Sequence, residues 1–346
     1  MAVVLPPTIA VSCGDVNGIG LRCFAEALVH VAPPVRYQLA ICPDMLQSCI
    51  EAYGLPGSLH DGFWIVGSHQ ITIDSIRSNG AALTPGQASD DVSRLAVRSL
   101  ERAIDEVVRG SCDALLTLPI NKHALQRVGW PYPGQTEMVA AACGPEAQHN
   151  PLMVLCTRDV RVALATVHIP LREVADAITQ DLLVQRLHQL RNHLQRDLNI
   201  AHPRIAVLAL NPHAGDHGAI GDEDDTIVRP AIALANEQGN EQGNEQGIDA
   251  TGPLPADGFF AFGAMADYDG ILAMYHDQGL IPLKVLAQGA GVNVTAGLPI
   301  VRTSPDHGTA YDRVFSTIDA RSTALAIEMA VEIVQRRNTS ISAPQP

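Results

Sequence analysis

The sequence predicts an α/β fold with a largely parallel sheet. Short β-rich apolar runs recur along the chain, most are followed by a turn and a helical pattern, and the polar clusters fall just after the runs. The runs are 8–12, 37–42, 63–66, 114–118, 152–157, 160–165, 204–210 and 270–274. Helical patterns occupy 88–110, 180–198, 226–238 and 322–336. In the first of these, Val92, Leu95, Ala96, Ser99, Leu100, Ala103, Ile104 and Val107 form one continuous face.

The chain has 346 residues, enough for a sizeable core in one large or two medium domains. Its formal net charge of -14 argues against general nucleic-acid binding, so an anionic ligand would need locally placed Lys and Arg. No apolar run approaches the ~18 residues needed to span a bilayer, and no membrane association is expected. The apolar start, MAVVLPPTIAVSCGDVNGIG, reads as a first buried strand running into a turn, not as a signal peptide. Seven scattered cysteines without a C-x-x-C pair suit reduced thiols and a cytoplasmic setting. Residues 236–247 read NEQG three times and predict a solvated loop; the tail 338–346 is expected to be loose.

Ligands of open α/β sheets bind beyond the carboxyl ends of the strands. Five polar segments fall there: SCGDVNGIG, TLPINK, TVHIP, LNPHAGDHGAIGDED and MYHDQG. They predict one shared cleft. The histidines sort by the same logic. His30, His60, His149, His188, His193 and His202 sit in contexts that read as surface. His168, His213 and His276 each follow a strand end and stand near a Pro or Gly turn. Each alone reads first as a hydrogen-bonded loop residue; three so placed suit a divalent cation with open positions for substrate.

Other segments carry candidate chemistry. Gly14–Gly20 is not a G-x-G-x-x-G fingerprint and reads as a tight strand-to-helix turn, with Gly18 and Gly20 at unusual backbone angles. Lys284, Asn293 and Arg302 interrupt apolar stretches; a buried cation there needs an anionic partner, either a protein carboxylate or a substrate group. Thr136 falls near the start of a helix, whose N-terminus readily receives phosphate.

Taken in order, GDVNGIG, LPINK, PGQTE, HIPL, LNPHAGDHGAIGDED, GPLPADGFF, YDGILAMYHDQGLIPLK and GVNVTAGLPIVRTSPDHGTA resemble the 4-hydroxythreonine-4-phosphate dehydrogenase family of pyridoxal phosphate biosynthesis. The resemblance implies a two-domain fold like that of isocitrate and isopropylmalate dehydrogenases with a central cleft. It places the first domain at 1–140 plus 300–346 and the second at 141–299. It further implies a homodimer with the metal site shared across the interface. Carried over residue by residue, the metal ligands are His168, His213 and His276, and the substrate contacts are Gln135, Thr136, Lys284, Asn293 and Arg302. Asp277 and Lys284 are the candidate general bases. The implied cofactors are NAD or NADP and a divalent metal, zinc first, with magnesium, cobalt or manganese as alternatives. The implied reaction oxidises the C3 hydroxyl of 4-phosphooxy-L-threonine and then loses CO2. The chain departs from the family pattern at three places. Gln135 replaces a histidine, Leu21-Arg22 replaces Pro-Glu, and YDRVFSTID replaces a Gly-rich stretch. The departure at Gln135 keeps open a four-carbon sugar-acid phosphate or a cis-dihydrodiol as substrate.

Overall fold

The computed structural model describes residues 6–32, 34–148, 151–238 and 247–342. They divide into two compact units, Met1–Pro151 with Leu298–Gln335, and Leu152–Gly297 with Arg336–Pro346.

The first unit is built on β1 (Thr8–Ser12), β2 (Arg36–Ile41), β3 (Ser58–His60), β4 (Phe63–Val66), β5 (His69–Ser75), β6 (Ala114–Thr117) and, late in the chain, β13 (Val301–Pro305). Their order is β13-β6-β1-β2-β5-β4-β3. The strands β13, β6, β1, β2 and β5 run parallel, and β4 and β3 close the edge antiparallel. β6 and β13 are buried at every position, as expected of strands covered on both faces. The helix Asp90–Val108 lies against β1, β2 and β6. Ser89 caps its N-terminus by accepting from Val92 N, and Asp90 and Asp91 complement the dipole. Ser99 occupies the apolar face for a specific reason. Its Oγ accepts from Cys13 N at 2.8 Å and donates to Ala40 O at 2.5 Å, stitching the helix to two strand ends.

The second unit holds β7 (Leu152–Cys156), β8 (Arg161–Leu164), β9 (Arg204–Leu208), β10 (Asp249–Leu254), β11 (Gly270–Ala273) and β12 (Val292–Ala296). Their order is β10-β9-β11-β8-β7-β12. β10, β9, β11 and β8 are parallel, and β7 and β12 are antiparallel additions. The helix Gln180–Leu198 starts on a Thr179 cap and ends on Asn199 in the left-handed conformation.

Several expectations change. His193 is buried, not at the surface. It faces Asp197 one turn on, with Nδ1 at 2.7 Å from Oδ2. Asp197 also receives Arg196 Nε at 2.7 Å and Arg337 Nε at 2.8 Å. The helix at the C-terminal end runs Arg321–Ser342, so its last turns continue through a segment expected to be loose. The helical pattern at 226–238 opens with a π-helical turn, Asp224–Val228, before the helix Arg229–Glu237. Positive φ in the first loop belongs to Gly14, not to Gly18 or Gly20. Gly18 is needed for close approach, because a Cβ there would stand 2.4 Å from Thr309 O. Of the NEQG repeat, 239–246 lie outside the described residues.

All seven cysteines are free, and burial pushes the Cys13, Cys23, Cys112 and Cys156 thiols up to about 12, which makes them inert at neutral pH. No helix among the described residues is long and apolar enough to cross a membrane.

Asp197 yields a stability test. Burial pushes its carboxyl up, but the hydrogen bonds from His193, Arg196 and Arg337 outweigh burial and hold it below the usual carboxylate range. A depressed folded pKa stabilises above the unfolded value, near pH 4, and the contribution is lost as pH falls through the folded value. Asp197→Ala is expected to cost about 3 kcal/mol in urea denaturation at pH 7, because it removes the buried carboxylate that His193 and the largely buried Arg337 share. The gap to wild type should narrow as the pH drops below about 4.

Candidate active site

The parallel strands of the second unit deliver three histidines to their carboxyl ends. β8 ends at Leu164, and the chain continues through Ala165 and Thr166, which still bond to Ala273 O and Met274 O, before reaching His168. β11 ends at Ala273, and His276 opens the helix His276–Ala287. The two rings lie side by side with centroids 5.8 Å apart and planes 41° apart. His276 Nδ1 stands 2.7 Å from Asp277 Oδ1. A carboxylate can only accept, so Nδ1 carries a proton, and in the neutral ring that tautomer puts the lone pair on Nε2. That is the arrangement of an imidazole ligand oriented by a carboxylate.

His213 is held differently. β9 ends at Leu208, and residues His213, Ala214, Gly215, Asp216 and His217 all have positive φ, a left-handed turn. Each non-glycine residue in that conformation costs about 1–2 kcal/mol. Asp224, which is fully buried, supports the turn. Its two carboxylate oxygens accept from Leu210 N and Asn211 N, each at 2.8 Å. Asn211 Nδ2 donates to Glu223 Oε2 at 2.8 Å. Strain concentrated beside a π-helical turn is typical of a functional segment. His213 is exposed, and among the described residues no third His, Cys, Asp or Glu joins His168 and His276 in a metal-holding group within one chain. The pair fits two positions of a borderline-soft divalent cation.

In the first unit, Arg302 on β13 is 3 % exposed. Its Nε and Nη2 donate to Thr117 Oγ1 at 3.1 and 2.7 Å, Nη1 to Thr136 Oγ1 at 3.3 Å, and Nη2 to Gln135 Oε1 at 3.4 Å. Gln135 Nε2 donates in turn to Leu118 O at 3.1 Å. Burial lowers the guanidinium pKa to about 10, opposed by Glu137, so it stays charged at neutral pH. Gln135 and Thr136 open the helix Gln135–Ala142, where Gly134 gives no side-chain cap. The sequence-predicted trio Gln135, Thr136 and Arg302 is therefore one cluster, with a buried cation beside a helix N-terminus.

Asn293 lies on β12, and its Oδ1 is buried without a hydrogen-bond partner among the described residues. Lys284 corrects an expectation: it is exposed, because it lies on the outer side of the helix His276–Ala287 with Ile281, Val285 and Leu286. Thr117 and Asp224 were not singled out from sequence. Thr117 reads as part of the apolar run 114–118, and Asp224 is one of four acids in GDEDD. The first loop is closed by Asp15, whose Oδ2 accepts from Tyr311 Oη at 2.6 Å; burial raises its pKa.

The profile of the pyridoxal phosphate biosynthetic protein PdxA family matches residues 51–330. The chain belongs to that family. It is 43% identical over 370 residues to the 4-hydroxythreonine-4-phosphate dehydrogenase of Geobacter metallireducens, covering 98% of each chain. It is 37% identical to the enzyme of that name from Bacteroides thetaiotaomicron, covering 97% of this chain and 91% of the relative. The crystal structure of 4-hydroxythreonine-4-phosphate dehydrogenase from Klebsiella pneumoniae superposes with a TM-score of 0.80 at 34% identity, covering 96% of this chain and 100% of the other. A terephthalate 1,2-cis-dihydrodiol dehydrogenase from Burkholderia xenovorans shares the fold at a TM-score of 0.62 and 23% identity.

The buttress under His213 is testable. Asp224→Ala is expected to cost about 2–4 kcal/mol, because it strands two backbone N–H groups in a buried site. Hydrogen exchange should quicken at Leu210 and Asn211 well before it does in β9.

Proposed function

We propose that this chain is an NAD+- or NADP+-linked dehydrogenase that oxidises 4-phosphooxy-L-threonine at C3, with decarboxylation to 3-amino-2-oxopropyl phosphate, in pyridoxal 5'-phosphate biosynthesis. Membership of the family supports the reaction class. The observation that carries the site is the pair His168 and His276, side by side at adjacent strand ends.

In this reading His168, His213 and His276 hold a divalent cation, zinc first, with cobalt, manganese or magnesium as alternatives. Bound there, the cation supplies the Lewis acidity that lowers the pKa of the C3 hydroxyl. The nicotinamide cofactor, when bound, supplies the hydride acceptor. Asp277 fixes the ring of His276 through Nδ1, which leaves Lys284 as the candidate to carry the hydroxyl proton. In the first unit, Arg302, Thr136 and Gln135 receive an anionic group of the substrate. Asn293 supplies an amide whose Oδ1 lacks a partner among the described residues.

The proposal includes a homodimer in the cytoplasm. Among the described residues no third donor joins the cation-binding pair within one chain, and in this reading a second copy completes the set. Ile281 and Val285, one turn apart on the helix that His276 opens, are 61% and 71% exposed, which suits a subunit contact.

Gln135 favours a second reading, a four-carbon sugar-acid phosphate or a cis-dihydrodiol as substrate. A neutral amide cannot add positive charge or donate a proton as a histidinium does.

Purified protein given 4-phosphooxy-L-threonine, a divalent cation and NAD+ or NADP+ should produce reduced nicotinamide. Absence of turnover across zinc, magnesium, manganese and cobalt would contradict the proposal. His213→Ala should lower kcat/KM by more than about 100-fold, beyond the usual effect of a residue behind a ligand. Gln135→His should raise kcat/KM for 4-phosphooxy-L-threonine if that is the substrate; a fall favours the second reading.

A further inference from the structure

We propose that Gln278 is a positioning residue that fixes the His168 and His276 strand ends against each other and anchors to them the His213 segment that the same chain lends to its partner's site. This rests on the cation site proposed above.

Gln278 lies in the first turn of the helix His276–Ala287, two residues after His276. Its Oε1 accepts from Met274 N at 2.7 Å, and its Nε2 donates to Ala209 O at 2.6 Å. Met274 follows β11, while Ala209 follows β9 and stands four residues before His213. Met274 O in turn accepts from Thr166 Oγ1 at 2.7 Å and from Thr166 N at 3.2 Å. Thr166 stands two residues before His168. One chain of hydrogen bonds, Thr166 to Met274 to Gln278 to Ala209, therefore touches all three segments.

The contacts are sheltered. Met274 is 0% exposed, Ala209 1% and Thr166 7%. In such surroundings a satisfied network is rigid, and a broken one leaves costly unpaired groups. Helix capping explains only part of it. A side chain three residues into a helix can reach back to a backbone N–H before it, and Oε1 does so here. Capping has no use for the second bond, from Nε2 to a carbonyl on a different strand end. That bond ties the His213 segment to the His276 segment, and Thr166 ties the His168 segment to both.

The test measures Co2+ affinity by chelator competition, the visible absorption of bound Co2+, and kcat and KM. The variants are Gln278→Met, which keeps the volume and deletes both bonds, Thr166→Val, which deletes the hydroxyl, and Thr166→Ser, which keeps it. Gln278→Met and Thr166→Val are each expected to weaken Co2+ binding by about 10–100-fold and to alter the absorption, while Thr166→Ser stays within about threefold of wild type. If Gln278→Met fails to fold, the Thr166 pair decides in the same sense. Wild-type affinity in folded Gln278→Met and in Thr166→Val overturns the positioning role and leaves the cation site standing. A wild-type protein that takes up no Co2+ overturns the cation site first, and this role with it.

Discussion

The parallel pairing of β9, β11 and β8 is the constraint on which the second unit's chemistry depends. Neighbouring strands sit ~4.8 Å apart, and β11 pairs with β9 on one side and β8 on the other. Side chains leaving adjacent carboxyl ends therefore emerge within reach of one another. The 5.8 Å separation of the His168 and His276 rings is that strand spacing carried a few residues further. No local motif is needed to bring them together, so residues 108 positions apart in sequence meet by sheet geometry alone.

The first unit solves a different problem. Arg302 is buried on β13, and a buried charge is costly unless its donors are satisfied. Two threonine hydroxyls and a glutamine oxygen accept from it, and the nearby Glu137 carboxylate favours its charged form. The hydroxyl and amide acceptors satisfy its donors without themselves cancelling its charge, which lies beside a helix N-terminus. Gln135 fits that arrangement, since it accepts from the guanidinium and donates to Leu118 O at once.

Much of the fold was legible in the sequence because buried parallel strands are short apolar runs. The helix Gln180–Leu198 was legible to its ends, since its cap residues flank an amphipathic pattern. The stretch from His276 to Pro305 was harder. There Pro282 sits inside a helix and polar residues interrupt β12 and β13, so periodicity fails although helix and strands form. His193 was misplaced because its burial depends on a charge network that includes Arg337, 144 residues away. At the candidate site, the strand-end histidines were visible one by one. Their supports were not: Asp224 hides in an acidic run, and Thr166 and Gln278 are ordinary in sequence. Lys284 misled for the opposite reason, because apolar neighbours that suggested burial are themselves exposed.

The central claim is that one chain holds only part of the cation-binding set and that a second copy completes it. Complementation tests it most directly. Inactive His213→Ala and His276→Ala chains would be mixed, dissociated and reassembled. In a mixed dimer one of the two sites then keeps all three imidazoles, so activity should return to about a quarter of wild type under random pairing. Reassembled mixed dimers with no activity above either variant alone would contradict the account.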